Sequence, residues 1–508
     1  MIMTKDNFKD AHYAVANQCN IKPFFIVIFG ATGDLTSRKL IPALFSLYQQ
    51  KLLSPQCRII AFARRPYGDE SFRDYLFELM REYGIFNDEN AQYWPDFAKI
   101  ISYHQSSFDD PEGYKSLASK LHLSQQNQVC ADVLYYLSTQ PSQFGTIVEN
   151  IKAAKLNHPI CSAGWNRVII EKPFGHDLET AKSLNAELTS VFDENQIYRI
   201  DHYLGKETVQ NLLVLRFANA IFEPLWNNKY VDHIQIKVHE SLGVGTRGAL
   251  YDQQGALKDI VQNHIMHLLS LIAMEPPNSL EADAVRDAKV NLLKCIRKGD
   301  VGPDHLIAGQ YSESEVNGQK IPAYRDENGV KADSATETYV ALKLLIDNWR
   351  WEGVPFYIRT GKCMPARLTE VSVYFKSIPR VLYNKADQMA NNCLTIQVQP
   401  DEGINLRFQV KTPGSPAKIV PADLNFNYSE SFGGKSPDAY ERLLLDAAAG
   451  DATLFTRSDE VLAAWRFIDP LVQGLKLLTA ENIAKYPAGS WGPEPARDLI
   501  ENDGRKWR

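Results

Sequence analysis

The residue types best suited to chemistry in this chain of 508 residues stand in one string, residues 199–207, which reads RIDHYLGKE. A carboxylate beside an imidazole, here Asp201 and His202, can orient and polarise the ring. A His and a Lys at the start of a helix, here His202 and Lys206, can hold a phosphate dianion. Taken alone, the string also fits an ordinary surface turn that caps the helix after it.

A glycine turn offers a second candidate site. The apolar run 24–29 is typical of a strand buried on both faces, and it leads at once into Gly30 and Gly33 and then into an amphipathic helix. Such a turn points backbone N–H groups and a helix N-terminus at one spot, which suits a pyrophosphate. The spacing has one glycine fewer than the full dinucleotide fingerprint, so a plain strand-to-helix turn remains an alternative.

The end of the next strand indicates which dinucleotide is bound. Enzymes that use NAD commonly place an acidic residue there for the ribose hydroxyls, whereas this chain has Arg64 and Arg65 after the apolar run 58–63. Two guanidinium groups would bind a 2′-phosphate, which an acid would repel. The sequence therefore favours NADP over NAD, the alternative being a pair of solvated arginines.

Three further residues could act at a site. Lys172 follows the apolar run 168–170, and ligands of parallel sheets bind at the carboxyl ends of strands, although a solvated turn lysine is the alternative. Asp259 and His264 are five residues apart, which on an α-helix separates them by about 140°, so they are not expected to stack. His264 and His267 have a spacing that could hold a metal, but no third ligand stands nearby, and no metal site is predicted.

The pattern of apolar runs predicts two kinds of sheet. Buried runs at 24–29, 58–63, 133–137 and 167–170 alternate with helical patterns, which predicts a parallel, doubly wound sheet. After about residue 230 the apolar residues alternate with polar ones, at 234–238, 394–398 and 406–410, which predicts strands of an antiparallel sheet. Helices are expected at 256–274, 437–449 and 458–468, and long surface loops at 300–333.

The predicted fold is thus an N-terminal, Rossmann-like, doubly wound α/β domain followed by a larger α+β domain with a mostly antiparallel sheet. The length of the chain calls for more than one domain. We expect residues 1–20 to lack fixed structure, residues 21–203 to form the nucleotide-binding domain and residues 204–508 to form a substrate and oligomerisation domain.

Composition narrows the function classes. With 55 basic and 61 acidic side chains the net charge is −6, which gives no sign of binding to nucleic acid or an anionic membrane. No apolar run approaches the roughly 20 residues that span a bilayer, and the first residues lack the apolar core of a signal peptide. The seven cysteines are scattered and form no CxxC pair, as in proteins of a reducing cytosol. A cytoplasmic location is predicted.

Together these segments resemble the glucose-6-phosphate dehydrogenase family. The resemblance runs from about Phe25 to beyond Leu471, and its strings follow the family's order and spacing: FGATGDLTSRKL, EKPFG, RIDHYLGKE, DIVQNH, RTGKCMPAR and RSDEVLAAWR. It implies oxidation of glucose 6-phosphate at C1 to 6-phosphoglucono-1,5-lactone with hydride transfer to NADP, the first oxidative step of the pentose phosphate pathway. It also implies a homodimer or homotetramer built through the second domain's sheet.

The resemblance implies roles for individual positions. His264 matches the general base for the C1 hydroxyl, and Asp201 matches the carboxylate that orients it. His202 and Lys206 match ligands of the sugar phosphate, and Lys172 and Lys362 match groups that contact both the sugar and the cofactor region. Further positions around the sugar or its phosphate are Glu240, Asp259, Arg367 and Gln399. Positions of the cofactor loop, its helix and the 2′-phosphate site are Gly30, Thr32, Gly33, Asp34, Leu35, Lys39, Arg64 and, at a position that varies in kind, Arg65.

One departure and two alternatives stand beside this interpretation. Where the family commonly has a double proline near the nicotinamide, this chain has Gln140 before Pro141. A Rossmann-type oxidoreductase acting on a non-phosphorylated sugar, similar to glucose–fructose oxidoreductase, would also carry an EKP string, but such chains are typically shorter and lack RIDHYLGKE with a downstream QNH. A catalytically dead NADP-binding sensor would be favoured by loss of Asp201 or His264, and both are present.

Overall fold

The computed structural model describes residues 21–87, 89–125, 132–159, 164–298, 302, 304–379, 381, 389–414, 418–432 and 437–508. The chain forms two compact units. The first comprises Met1–Gly205, Glu281–Arg286 and Pro437–Val461, and the second comprises Lys206–Leu280, Asp287–Ser436 and Leu462–Arg508. The sequence pattern assigned the two later segments of the first unit to the second domain. The predicted N-terminal tail 1–20 lies outside the described residues.

The first unit contains a six-stranded parallel sheet. Its strands are β1 (Phe24–Phe29), β2 (Arg58–Ala63), β3 (Ile101–Gln105), β4 (Asp132–Leu137), β5 (Asn166–Glu171) and β6 (Ile197–Ile200), in the spatial order β3-β2-β1-β4-β5-β6. Every neighbouring pair is parallel, and β1 and β4 are almost wholly buried. The predicted doubly wound α/β architecture is confirmed, and the four strands expected from apolar runs are β1, β2, β4 and β5.

Helices cover both faces of this sheet. They are Ile41–Gln49, Asp69–Glu82, Trp94–Lys99, Pro111–Gln125, Phe144–Ala153, Leu178–Thr189 and Ala439–Ala449, with a π-helical turn at Thr36–Leu40. Leu443, Leu444 and Phe455 pack into the same apolar core as the strand residues Ile26 and Ile28. This packing joins the late segment to the first unit. No local pattern could reveal that, because apolar periodicity shows which face of a helix is buried but not against which partner.

The second unit contains a nine-stranded sheet. Its strands are β7 (Val231–His239), β8 (Leu306–Ser312), β11 (Tyr339–Leu344), β12 (Phe356–Gly361), β13 (Leu368–Phe375), β14 (Cys393–Gln399), β15 (Gly403–Lys411), β16 (Ile419–Asn427) and β17 (Ala484–Pro487), in the order β16-β15-β14-β13-β7-β12-β11-β8-β17. Only the pairs β7/β12 and β8/β17 are parallel among these strands. The predicted mostly antiparallel sheet is confirmed.

The segment 300–333 differs from the expected long loops. It contributes β8 to the large sheet and forms a small hairpin from β9 (Ser314–Val316) and β10 (Gln319–Ile321). Gly309 and Gln310 interrupt the apolar pattern of β8, but pairing with β11 and β17 buries this strand almost throughout. The expectation of loops was therefore wrong for β8, because its burial comes from strands distant in sequence. It was also wrong for β9 and β10, which are half-buried to exposed and pair with each other.

The remaining helices lie in the second unit or cross the boundary between units. They are Glu207–Phe217, Gly248–Tyr251, Met266–Ala273 and Tyr428–Phe432, the closing helix Glu494–Glu501, and the boundary helices Ala282–Lys294 and Ser458–Leu475. A π-helix, Leu257–Ile265, runs directly into Met266–Ala273, so the predicted helix at 256–274 is present. Across the described part of the chain, no helix combines the length and the apolar character needed to cross a membrane.

Candidate active site

The first unit gathers its predicted site residues at one edge of the parallel sheet. Gly30 follows β1, Arg64 follows β2, Lys172 follows β5 and Asp201 follows β6, so all stand at the carboxyl ends of strands. Ser138 follows β4, the strand beside β1 at which the order of the sheet reverses. Such a reversal opens a crevice between neighbouring strand ends, which is where open α/β sheets bind ligands.

The glycine turn after β1 packs closely against the end of β4. Gly30 has a φ of +83°, and a Cβ there would lie 2.3 Å from the Ser138 carbonyl oxygen. The Gly30 N–H donates to the Phe62 carbonyl at 3.0 Å, and the Gly33 N–H donates to the Gly30 carbonyl at 2.9 Å. The Thr36 hydroxyl donates to the Ser138 hydroxyl at 3.2 Å, which ties the turn to the end of β4. These residues fit a dinucleotide, because a tight glycine turn between the first strand and its helix is where such sheets bind a pyrophosphate.

The other predicted residues of the cofactor loop divide into two groups. Thr32, Gly33 and Leu35 are half-buried in the turn, whereas Asp34 and Lys39 are exposed on the π-helical turn and its approach. Asp34 pairs with Arg38 at 2.5 Å, and the Lys39 ammonium pairs with Asp438 at 2.8 Å. These two charged side chains therefore contact other surface side chains in this structure.

Arg64 and Arg65 extend into solvent from a backbone that is held in place. The Tyr103 hydroxyl donates to the carbonyls of Ala63, at 3.2 Å, and Arg65, at 2.6 Å. Burial raises the pKa of Tyr103 to about 12, so the hydroxyl stays a donor. Both guanidinium groups are exposed beside a fixed turn. This arrangement fits a 2′-phosphate, for which charge-assisted hydrogen bonds from arginine are the usual ligands.

The strand ends of β5 and β6 carry buried carboxyl groups. The Glu171 carboxyl accepts from the Tyr136 hydroxyl, and desolvation raises its pKa to about 7. Lys172, beside it, is half-buried and is followed by a cis peptide bond to Pro173. Asp201 is only 1% exposed, and its carboxylate accepts the Tyr203 N–H at 2.9 Å. His202 is half-buried. The first unit thus places Lys172, Asp201 and His202 on neighbouring strand ends.

The second unit also gathers its predicted residues at one sheet edge. Glu240 follows β7 and Lys362 follows β12, and these strands run parallel with His239 opposite Gly361. The antiparallel neighbours β13 and β14 bring Arg367, just before β13, and Gln399, at the end of β14, to the same edge. Four residues that are up to 159 positions apart in sequence therefore share one end of the sheet.

Two cations converge on one neutral oxygen at this edge. The Lys206 ammonium donates to Gln399 Oε1 at 2.6 Å, and the Arg367 guanidinium donates to the same oxygen at 3.3 Å. The Gln399 amide is oriented by donating to the Thr369 hydroxyl at 2.8 Å. The two cations are thus held close together around an acceptor that carries no net charge. The cluster of Lys206, Arg367 and Gln399 can hold a phosphate group.

Lys362 lies in a more enclosed setting. It is 4% exposed, its ammonium donates to Glu240 Oε2 at 2.5 Å, and it lies 4.9 Å from the centre of the Tyr251 ring. The ion pair and the ring hold the ammonium in one place. The sequence pattern gave no sign of Tyr251, because its partner comes from a strand end more than a hundred residues later.

The predicted base is carried by the π-helix Leu257–Ile265, which packs against β7 and β12. His264 is 2% exposed, and Asp259 is half-buried. Hydrogen bonds of a π-helix join residues i and i+5, so residues five apart lie closer together around the helix axis than in an α-helix. The angle of about 140° expected between Asp259 and His264 assumed α-helical geometry and is too large for this segment.

Two domain models of known families match the chain. The description "Glucose-6-phosphate dehydrogenase, NAD binding domain" matches residues 27–211, and "Glucose-6-phosphate dehydrogenase, C-terminal domain" matches residues 213–508. The chain is 44% identical over 493 residues to the glucose-6-phosphate 1-dehydrogenase of Chlamydia pneumoniae, covering 96% of both chains. It is 43% identical over 489 residues to that of Bacillus subtilis strain 168, covering 95% of this chain and 97% of the relative.

Solved structures of glucose-6-phosphate dehydrogenases also match the chain. A glucose-6-phosphate dehydrogenase in complex with its substrate glucose-6-phosphate matches with a TM-score of 0.88 and 34% identity, over 96% of this chain and 99% of that one. The glucose-6-phosphate 1-dehydrogenase from Mycobacterium avium matches with a TM-score of 0.82 and 36% identity, over 96% and 98% of the two chains.

Proposed function

The chain belongs to the glucose-6-phosphate dehydrogenase family, and from this premise we propose how its own residues carry out the reaction. It oxidises glucose 6-phosphate at C1 to 6-phosphoglucono-1,5-lactone. NADP, when bound, accepts the hydride from that carbon. The observation that carries this conclusion is the match of both domain models, in chain order, to residues 27–211 and 213–508.

His264 is the proposed general base for the C1 hydroxyl proton, with Asp201 as the carboxylate that orients it. An imidazole has an ordinary pKa near 6.5, so its neutral form accepts a proton near neutral pH. A carboxylate partner fixes the tautomer and stabilises the imidazolium that forms. The burial of both side chains supports this assignment, because little water competes for either group.

The phosphate of the sugar is proposed to bind to His202 and Lys206, with Arg367 and Gln399 beside Lys206. The convergence of Lys206 and Arg367 on Gln399 Oε1 supports this role, because an anion can replace the neutral amide oxygen as their partner. Lys172, Glu240, Asp259 and Lys362 are proposed to position the sugar ring.

The cofactor is proposed to bind along the turn from Gly30 to Leu35 and at Lys39, with Arg64 and Arg65 on the 2′-phosphate and Lys172 near the reacting end. Thr32, Gly33, Asp34 and Leu35 complete the turn. The positive φ of Gly30 and its close approach to Ser138 support this site.

A homodimer or homotetramer and a cytoplasmic location are further proposals. Leu424 and Phe426 are exposed on β16, the strand at one end of the large sheet, and exposed apolar edge strands favour pairing. Sedimentation at micromolar concentration tests the assembly, and Leu424→Lys is expected to shift it toward the monomer. A monomeric wild-type protein would contradict the proposal.

The direct test of the function is the near-ultraviolet absorbance of NADPH after the protein meets NADP and glucose 6-phosphate, with free glucose as the control. Rapid reduction with the phosphate ester alone is expected. Comparable activity on free glucose would instead favour an oxidoreductase of non-phosphorylated sugars. No activity on either sugar, with measurable NADP binding, would favour a sensor.

A further inference from the structure

The π-helix that carries His264 begins without a side-chain cap of its own. The residue before it, Ala256, offers no side-chain acceptor, and the first N–H groups of any helix need partners from outside it. The partner comes from Glu337, 80 residues later. Its carboxylate Oε1 accepts the Leu257 N–H at 2.9 Å, and its carbonyl oxygen accepts the Ala256 N–H at 3.0 Å. One residue thus holds two successive amides at the start of the helix.

The residues around Glu337 leave space for its carboxyl group. Glu337 is 8% exposed, and Gly255 stands beside it with a φ of +70°. A Cβ at Gly255 would lie 2.4 Å from Glu337 Oε1, so any larger residue there would displace the carboxyl group. The Tyr251 hydroxyl also donates to the Glu337 carbonyl, at 3.2 Å. The turn before the helix is therefore fastened to Glu337 at three points.

The next residue links the same segment to Lys362. The Lys362 N–H donates to the Thr338 carbonyl at 2.9 Å, and the Tyr486 hydroxyl donates to the Lys362 carbonyl at 2.8 Å. The Tyr486 hydroxyl also lies 3.0 Å from the Thr338 hydroxyl. Residues 337 and 338 thus fix, through rigid hydrogen bonds, both the helix of His264 and the backbone of Lys362.

We propose that Glu337 is a positioning residue for the reaction, which sets the axial position of the π-helix and thereby the place of His264 relative to Lys362. The inference rests on the proposed role of His264 as the base. A displacement of about 1 Å at a catalytic group can cost about 10²-fold in rate. The reaction needs an oxygen that accepts the Leu257 N–H, so a neutral side chain of the same shape as Glu337 should hold the helix equally well.

Three substitutions separate acceptor, charge and shape. Glu337→Gln keeps an oxygen at the same reach and removes the charge, so kcat is expected within about threefold of wild type. Glu337→Asp keeps the charge but withdraws the carboxylate by about 1.5 Å, the length of one carbon–carbon bond. Glu337→Leu removes the acceptor. The last two are expected to lower kcat at least about tenfold, with NADP affinity unchanged and faster hydrogen exchange at the Leu257 amide.

The controls distinguish this inference from the proposed function. Glu370→Gln alters another buried acid of the same unit, which pairs with Lys237, and should leave kcat unchanged. Equal kcat in the Gln, Asp and Leu variants would overturn the positioning role. If the Leu variant does not fold, the Asp and Gln variants decide, since equal rates in those two overturn it. His264→Asn is measured as well, and full turnover in that variant would refute His264 as the base. If that variant is inactive while the Glu337 variants keep wild-type kcat, only the positioning role of Glu337 is refuted.

Discussion

Lys206 and Arg367 approach the same amide oxygen of Gln399, so two cations are held close together beside a neutral acceptor. A carboxylate at that position would pair with both cations and compete with the phosphate of a substrate. A neutral amide orients the same donors without cancelling their charge. Lys362 differs in that it is paired with Glu240 and enclosed, so it is better suited to hold sugar hydroxyls than a dianion.

At the residue scale, His264→Asn is expected to lower kcat by about 10²–10⁴-fold, because the C1 hydroxyl loses its proton acceptor. Asparagine retains a polar side chain, so the affinity for glucose 6-phosphate should change little. The matched control is His267→Asn, which removes a buried imidazole three residues later in the adjoining helix. Steady-state kinetics with a binding measurement checks both. Turnover near that of wild type in the His264 variant would contradict its role as base.

Also at the residue scale, Arg64→Ala is expected to weaken NADP binding about 10–100-fold and NAD binding hardly at all. The loss corresponds to one or two charge-assisted hydrogen bonds to a phosphate, which NAD lacks at that position. Arg58→Ala removes another exposed arginine, from the opposite end of β2, and serves as the control. Titration of both cofactors gives the answer. An equal loss for NADP and NAD would mean that Arg64 does not contact the 2′-phosphate.

At the element scale, π-helical geometry occurs in two segments that carry proposed site residues, among them Lys39 and His264. Among the described residues, the two such segments are Thr36–Leu40, after the glycine turn, and Leu257–Ile265, with the proposed base. A π-helix has poorer hydrogen-bond geometry than an α-helix, so it persists where other contacts compensate for it. In the second unit, those contacts include Glu337 at the start of the helix.

The glycine turn gives a prediction at this scale. Gly30→Ala is expected to abolish measurable NADP binding, because the new Cβ would collide with the Ser138 carbonyl at 2.3 Å. Gly84→Ala is the matched control, since Gly84 also has a positive φ but has nothing within 4 Å of a built Cβ. That control should cost only about 1 kcal/mol of stability from backbone strain. NADP titration and thermal unfolding compare the two. Normal cofactor affinity in the Gly30 variant would show that the turn does not cradle the cofactor.

At the scale of the whole molecule, each unit contains a glutamate whose pKa is raised to about 7, chiefly by desolvation. In the first unit this is Glu171, which faces Tyr136, Tyr440, Lys172 and Asp201. In the second it is Glu337, which faces Lys258, Tyr251 and Tyr324. A carboxyl group whose pKa is raised on folding stabilises the fold fully below its unfolded pKa of about 4.5. That contribution is lost as the pH rises toward 7.

The free energy of unfolding should therefore decrease from pH 4.5 to pH 7 because of these two groups. Each group contributes up to about 3 kcal/mol to the decrease. Glu171→Gln removes one such group, so the free energy of unfolding of this variant, relative to wild type, is expected to rise between pH 5 and pH 8. Denaturant unfolding at both pH values measures the change. Glu179→Gln, on an exposed helix, is the control. A difference between Glu171→Gln and wild type that does not depend on pH would contradict the raised pKa.

Much of the fold and of the candidate site could be predicted from local sequence patterns. The buried run 24–29 with its glycine turn, Arg64 after β2 and the alternation at 234–238 each reflect short-range physics: burial on one or two faces, and backbone freedom at glycine. They were enough to predict both sheets and to favour NADP over NAD, whereas the family was predicted from the resemblance of longer strings such as RIDHYLGKE. The residues of the strand ends were also readable, because parallel strands place their carboxyl ends at one edge.

Other features of the fold and of the candidate site could be identified only in the tertiary structure. The π-helical geometry between Asp259 and His264 could not be predicted from the spacing of these residues, which fits an α-helix equally well. Glu337 became visible only when the fold placed it at an amide 80 residues earlier. The helix Ala439–Ala449 joined the first unit through a core that its own pattern could not identify. In the last two cases the deciding interaction joins residues far apart in the chain, and a local pattern carries no information about such a partner.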